Sequence, residues 1–178
     1  MGTVDRRDFI LSLAAITAAG HAAAQGAPGT TILVLGDSMS AEYGLARGTG
    51  WVALLAQHRP SVVVIELGGN DALRGLPLQS TEANLTAMAQ AARKAGARVL
   101  LVGMQVPPNY GADYTRRFAA LFHTVAQAQK AALVPFLLQG VADGPEPTKL
   151  FQADRIHPTA QAQPTMLENV WPALKKLL

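Results

Sequence analysis

Residues 31–38 read Thr31-Ile32-Leu33-Val34-Leu35-Gly36-Asp37-Ser38, and this stretch decides the fold class. Its first part is a short apolar run rich in branched side chains, and Gly36 ends it. A run that is apolar at successive positions, and not at alternate ones, is typical of a strand buried on both faces of a parallel sheet. Asp37 and Ser38 follow this predicted strand, so it delivers two polar side chains to one edge of a sheet.

The rest of the chain alternates short apolar runs with helical patterns. We predict further strands over residues 62–67, 98–102 and 133–137, and helices over residues 51–56, 80–95, 113–133 and 164–178. This alternation predicts a three-layer α/β/α sandwich, with helices on both faces of a parallel sheet. The 178 residues are enough for one such domain and too few for two ordinary ones.

Composition excludes several classes of protein. Hydrophobic residues make up 49% and charged residues 15% of the chain, which is unlike a disordered segment or a solvated coiled coil. Cysteine is absent, so we expect neither disulfides nor a thiolate site. The net charge is +3 without a dense basic cluster, so no nucleic-acid partner is predicted. No cluster of histidines and carboxylates has metal-ligand spacing, so we expect no metal and no cofactor.

Residues 1–24 are typical of an export signal. Arg6 and Arg7 precede an apolar run of about ten residues, which is too short to span a bilayer, and a small-residue cleavage pattern ends at Ala24. The paired arginines favour a twin-arginine signal, with an ordinary secretory signal as the alternative. We therefore predict a periplasmic or secreted domain over residues 25–178, without a stable membrane anchor once the signal is removed.

Candidate catalytic residues follow from where ligands bind in such sheets, at the carboxyl ends of the strands. Ser38 follows the first strand, Asn70 follows the second, and Asp154 and His157 lie in a loop before the last helix. A serine hydroxyl becomes a nucleophile when an imidazole takes its proton and a carboxylate orients that imidazole. An asparagine amide can donate to the oxyanion that forms during acyl transfer.

These motifs resemble those of the SGNH hydrolases, the GDSL-type lipase/esterase family. The resemblance rests on Leu35–Ala41, Glu66–Gly75, the loop Pro107–Gly111 and the Asp154-x-x-His157-Pro158 block. It is strongest for the branch of periplasmic thioesterases, lysophospholipases and arylesterases, and it covers residues 30–178. The resemblance implies a flavodoxin-like fold and the catalytic residues Ser38, Asp154 and His157. It also implies an oxyanion hole formed by the Ser38 backbone N–H and Asn70.

One family block is missing between Ser38 and Asn70, which are separated by only 31 residues. In the family this block supplies a glycine whose backbone N–H completes the oxyanion hole, and it follows a further strand. We predict that the sheet lacks one edge strand, which would leave an exposed edge beside the first strand. Gly44, Gly48 or Gly50 could supply a replacement N–H. The loss predicts a poorer esterase.

Other polar residues receive structural interpretations. We expect Asp37 and Asp71 to hold their loops, and Glu66, within a buried strand, to have a partner such as an arginine in an ion pair. His58 and His123 are expected to have no chemical role.

The sequence thus predicts a monomeric serine hydrolase that cleaves small acyl esters or thioesters through an acyl-enzyme. Two alternatives stay open. One is a truncated SGNH-fold protein with weak or no activity, and the other is a non-catalytic periplasmic protein that binds a ligand in the same cleft.

Overall fold

The structure is a computed structural model that describes residues 31–40, 44–46, 49 and 61–178. The predicted export signal and the helix predicted over residues 51–56 lie outside these residues.

Four parallel strands form a single sheet in the described part of the chain. They are β1 (Ile32–Gly36), β2 (Val62–Glu66), β3 (Arg98–Val102) and β4 (Ala132–Val134), and they lie side by side in chain order. Gly36 at the end of β1 pairs with Glu66 at the end of β2. The carboxyl ends of β1 and β2 therefore meet at one edge of the sheet, as expected.

Within the described residues, four helices accompany the sheet. They are α1 (Gly69–Leu73), α2 (Leu78–Lys94), α3 (Ala112–Gln129) and α4 (Gln163–Lys175), with short 3₁₀ turns at Pro108–Tyr110 and Ala160–Ala162. Helices α2 and α3 pack on each other and on the sheet, whereas α4 packs on β3 and β4. The predicted α/β class with a parallel sheet flanked by helices is confirmed. Within the described residues no helix is both long and apolar enough to cross a membrane.

The core lies at the middle strands. All of β2 and all of β3 after Arg98 are buried, and because successive residues of a strand point to opposite faces, both faces of the sheet are covered. On α3, the rings of Phe118 and Phe122 are fully buried and pack edge to face at 5.3 Å between centroids. This core fixes the ends of β2 and β3, where the site lies.

Strand β1 is less well covered. Among the described residues it pairs only with β2, and its Leu33 is 54% exposed. We expected β1 to lie at the edge of the sheet because the sequence predicts the loss of one edge strand.

Some predicted bounds were wrong. Helix α3 ends at Gln129, not at residue 133, because Lys130 adopts the left-handed conformation (φ 50°). The fourth strand is Ala132–Val134 and stops before Pro135, which has no N–H to donate to a neighbouring strand. Helix α1 was not expected from the sequence.

Candidate active site

A tight turn after β1 presents Ser38. The backbone N–H of Ser40 donates to the carbonyl oxygen of Asp37 at 3.1 Å, which closes the turn. A Cβ atom at Gly36 would lie 2.5 Å from the side chain of Ser40, so glycine is required for the turn to fold back on the strand. We call residues 37–40 the nucleophile turn.

Asp154 and His157 lie in a loop that is closed like a hairpin. Phe151 and Pro158 form an antiparallel bridge, and the Gln152 N–H donates to the carbonyl oxygen of His157 at 2.8 Å. Arg155 makes the reversal with a left-handed backbone (φ 57°). The loop therefore holds the carboxylate and the imidazole on one side of a short, internally bonded segment.

The structure brings Ser38, His157 and Asp154 into one hydrogen-bonded chain. His157 Nε2 lies 2.8 Å from Ser38 Oγ, and His157 Nδ1 lies 2.7 Å from Asp154 Oδ2. With Nδ1 donating to the carboxylate, Nε2 is the acceptor for the serine proton. The three residues thus have the geometry of a nucleophile, its base and the group that orients the base.

Asp154 is held in its anionic form. Its Oδ1 accepts the backbone N–H groups of His157 at 3.0 Å and of Ile156 at 2.9 Å. The backbone and side-chain hydrogen bonds from His157, together with the bond from Ile156, lower the pKa of Asp154 to about 2. The carboxylate is therefore charged near neutral pH.

Asn70 approaches the nucleophile turn from α1. Its Nδ2 donates one hydrogen bond to Asp37 Oδ2 at 2.9 Å, and an amide NH₂ has two hydrogens to give. Helix α1 begins after Gly68, whose φ of 109° favours glycine and where a Cβ would lie 2.9 Å from Thr81. Both Asn70 and Ser38 line the same cavity.

The two aspartates fill the structural roles expected of them. Asp37 also accepts the Met39 N–H at 3.0 Å on Oδ1, which ties it to its own turn. Asp71 accepts the hydroxyl of the buried Thr81 at 3.0 Å. Asp71 thereby fixes α1 against α2.

Two tyrosines that the sequence did not single out hold the end of α1. The Tyr110 hydroxyl donates to the carbonyl oxygen of Leu73 at 3.0 Å, and the Tyr114 hydroxyl donates to that of Leu76 at 3.2 Å. Tyr110 stands in the Pro107–Gly111 motif, but nothing in that motif indicates which carbonyl groups it binds.

Among the described residues, Glu66 pairs with a hydroxyl group and not with the arginine that was expected. Glu66 is 1% exposed, and the Ser40 hydroxyl donates to its Oε2 at 2.5 Å. Burial, and secondarily the negative charge of Asp37, raise the pKa of Glu66 to about 8. Near neutral pH this side chain is therefore a neutral acid, which needs a hydrogen-bond partner and not a cation.

A cavity of about 480 Å³ adjoins the triad. Its walls are mainly apolar, and the polar part of the lining includes Ser38, Asn70, Gln105, Thr115 and Arg155. The apolar lining includes Leu73, Met104, Val106, Pro107, Pro108, Phe136, Leu138, Pro147, Phe151 and Ile156. The cavity can hold an extended apolar group with its reactive end beside Ser38.

Two of the remaining candidates, Gly44 and His123, are described by the structure, and neither lines the cavity. Gly44 is left-handed (φ 71°) and packs against Gln152, and it is not among the described residues that line the cavity. Gly48, Gly50 and His58 lie outside the described residues, and His123 is exposed on α3. The described part of the chain has no group of three or more histidines and acidic residues that could hold a metal ion.

A parallel α/β sheet with a serine at one strand end, hydrogen-bonded to a histidine and an aspartate from a nearby loop, defines the class of α/β serine hydrolases. The chain belongs to the GDSL-like lipase/acylhydrolase family, whose pattern it matches over residues 12–163. The resemblance predicted from the motifs is thus confirmed.

Several characterised proteins are similar to this chain. The esterase TesA of Pseudomonas aeruginosa is 44% identical, with 86% of this chain and 92% of TesA aligned. An arylesterase of Vibrio mimicus is 38% identical, over 84% of this chain and 74% of the arylesterase. The thioesterase 1/protease 1/lysophospholipase L1 of Escherichia coli K12 is 32% identical, over 83% and 85%. A crystal structure of TesA superposes with a TM-score of 0.75, covering 84% of this chain and all of TesA.

These alignments also bear on the short middle of the chain. The alignment with TesA runs over 188 positions, although only 86% of the 178 residues take part. TesA must therefore carry residues that have no counterpart here. The alignment with the Escherichia coli enzyme leads to the same conclusion, because it runs over 179 positions and includes only 83% of this chain.

Proposed function

We propose that this protein hydrolyses acyl esters and thioesters through a covalent acyl-enzyme on Ser38. The observation that carries the proposal is the 2.8 Å contact between Ser38 Oγ and His157 Nε2, with the other imidazole nitrogen on Asp154. Family membership and the esterase, arylesterase and thioesterase relatives support ester or thioester bonds as the substrate.

The reaction has two halves. Ser38 Oγ attacks the carbonyl carbon while its proton passes to His157 Nε2, and the tetrahedral intermediate collapses as His157 protonates the departing alcohol or thiol. Water then attacks the acyl-enzyme, His157 takes its proton, and the carboxylic acid leaves with Ser38 restored. Asp154 remains ionised and stabilises the imidazolium in both halves.

The negative charge that develops on the carbonyl oxygen needs preorganised donors. We assign this role to the amide of Asn70 and to the backbone N–H of Ser38. Asp37 holds the Asn70 amide at 2.9 Å, so this donor is oriented before substrate arrives and costs no reorganisation during the reaction.

The shape and lining of the cavity favour substrates with an apolar acyl or aryl group. Each CH₂ group of a substrate that is buried against an apolar wall stabilises the complex by about 0.8 kcal/mol. The relatives' names include an arylesterase and a lysophospholipase, whose substrates both carry such groups.

The second candidate function is that of a less active member of the family, and the alignment with TesA supports it. We place the residues missing relative to TesA between Ser38 and Asn70, in the block that supplies the family's glycine donor. The loss of one oxyanion donor typically costs about 10²–10³ in rate.

We further propose that residues 1–24 direct export through the twin-arginine route. The support is the Arg6-Arg7 pair, the short apolar run and the small residues up to Ala24. Replacing both arginines with lysine should stop export, measured as periplasmic protein in a bacterial host. Normal export of the double variant would leave a general secretory signal instead.

Hydrolysis of a short-chain aryl ester and of an acyl thioester by the purified domain tests the main proposal. Turnover by the wild type, its loss in Ser38→Ala and its retention in Ser80→Ala, which changes an exposed serine on α2, are the expected results. Ligand binding without any turnover in the wild type would favour the non-catalytic alternative.

A further inference from the structure

A buried carboxyl group that the proposed mechanism does not use lies directly behind the nucleophile turn. Glu66 is the last residue of β2 and pairs with Gly36, which precedes the turn. Its Oε2 accepts the Ser40 hydroxyl at 2.5 Å, and the backbone N–H of Asp37 also hydrogen-bonds to Glu66. Glu66 therefore binds both ends of the turn, with Ser38 between them.

Space for this arrangement comes from Gly36. A Cβ at that position would lie 2.5 Å from the Ser40 side chain and 3.3 Å from Glu66 Oε2. The absence of a side chain lets the carboxyl group and the hydroxyl meet beneath the backbone of the turn. Neither Glu66 nor Ser40 is among the described residues that line the cavity, so neither is placed to bind substrate.

We propose that Glu66 is a positioning residue for Ser38, which it fixes through its hydrogen bonds to Ser40 and Asp37. The inference rests on the proposed function, in which Ser38 is the nucleophile. A serine displaced by about 1 Å from its attacking position loses on the order of 10² in rate. A single buried group that binds both ends of a four-residue turn limits such a displacement.

The protonation state of Glu66 adds a dependence on pH. Among the described residues, the ionised group that acts on it is Asp37, after β1, while β3 on the other side has only apolar residues from Val99 to Val102. Because burial and Asp37 raise the pKa of Glu66 to about 8, the acid is neutral at lower pH. Above that pH a buried charge forms beside Asp37, which holds both the turn and Asn70, so turnover should fall.

Steady-state kinetics on an aryl ester from pH 6 to 10 test the inference. Glu66→Ala should lower kcat by about 10–100-fold with KM almost unchanged, and Ser40→Ala should lower it in the same direction. Glu66→Gln keeps the shape and a carbonyl oxygen for the Ser40 hydroxyl but cannot ionise. It should therefore retain most of the kcat and lose the fall above about pH 8. Glu168→Ala, at an exposed position on α4, is the matched control and should behave as the wild type.

The outcomes separate this inference from the proposed function. A wild type that neither hydrolyses esters nor reacts with a fluorophosphonate overturns the proposed function itself. An active wild type whose kcat is unchanged by Ser40→Ala and Glu66→Ala overturns the positioning role. An alkaline fall that persists in Glu66→Gln, or is absent from the wild type, overturns the role of Glu66 ionisation. If Glu66→Ala fails to fold by circular dichroism, Ser40→Ala and Glu66→Gln carry the test.

Discussion

Asp37 connects the two halves of the candidate site through the two oxygens of one carboxylate. Oδ1 accepts the Met39 N–H and Oδ2 accepts the Asn70 amide. The nucleophile turn on β1 and the amide on α1 are thereby held in one arrangement, although 31 residues separate Ser38 from Asn70 in the sequence. Preorganisation of this kind is what makes a hydrogen-bond donor effective in a transition state.

Replacing Asn70 with alanine should therefore lower kcat by about 10²–10³, with a much smaller effect on KM, because the oxyanion exists only after attack. Asn84→Ala, at an exposed position on α2, is the control. Equal kcat values for Asn70→Ala and the wild type on the same aryl ester would show that the oxyanion is bound elsewhere.

The residue types at the site and the pairing of Ser38, His157 and Asp154 could be predicted from the sequence, but the partner of Glu66 could not. Ser38 and Asn70 stand out because they follow apolar strands. Asp154 and His157 stand out because they lie together in a loop before the last helix. The partner of Glu66 depends on how closely the nucleophile turn folds back over Gly36, which no local pattern records. An arginine was expected for a charged group, and burial instead neutralises the group.

At the scale of elements, two helices end in the same way with different residues. After α2, Gly96 is left-handed, and Ala97 N–H donates to the carbonyl oxygen of Ala92 at 3.1 Å. After α3, Lys130 is left-handed, and Ala131 N–H donates to that of Ala126 at 2.9 Å. Both ends have the geometry that favours glycine after a helix.

Lys130→Gly should therefore stabilise the fold by about 0.5–1 kcal/mol, because the left-handed conformation is costly for a residue with a Cβ. The reciprocal change Gly96→Ala should destabilise it by a similar amount. The free energy of unfolding in urea measures both. A loss of stability in Lys130→Gly would mean that contacts of the lysine side chain outweigh the backbone cost.

Element types were easier to predict than their ends. Apolar runs identified all four described strands, and β3 was placed at the observed bounds. The predicted end of α3 was too late because the apolar pattern of the helix continues into the next strand. The left-handed conformation of Lys130 is not evident from the sequence, because no glycine stands at that position. Helix α1 was missed since its five residues are too short for a periodic pattern.

For the whole molecule, we expect the short middle of the chain to lower the rate of catalysis. β1 takes an outer position among the described strands, and its Leu33 is 54% exposed. TesA and the Escherichia coli enzyme carry residues that this chain lacks. A missing strand beside β1 would explain the exposure, and it would also remove the family's glycine donor.

Inserting the corresponding segment of TesA between Ala56 and Gln57 should therefore raise kcat on an aryl ester by at least about 10². A scrambled insert of equal length is the control. An uninserted protein that already matches TesA in rate would show that no donor is missing. In that case the N–H groups of Gly48 and Gly50 become the positions to examine.

Covalent labelling with a fluorophosphonate, followed by mass spectrometry of the digested protein, tests whether Ser38 is an activated nucleophile. The label reacts with a serine that a neighbouring base activates, and mere ligand binding does not produce it. We expect a single adduct on Ser38 that disappears in Ser38→Ala, is greatly reduced in His157→Gln and persists in Ser80→Ala. An unlabelled wild-type protein, or an adduct on another residue that survives Ser38→Ala, would contradict it.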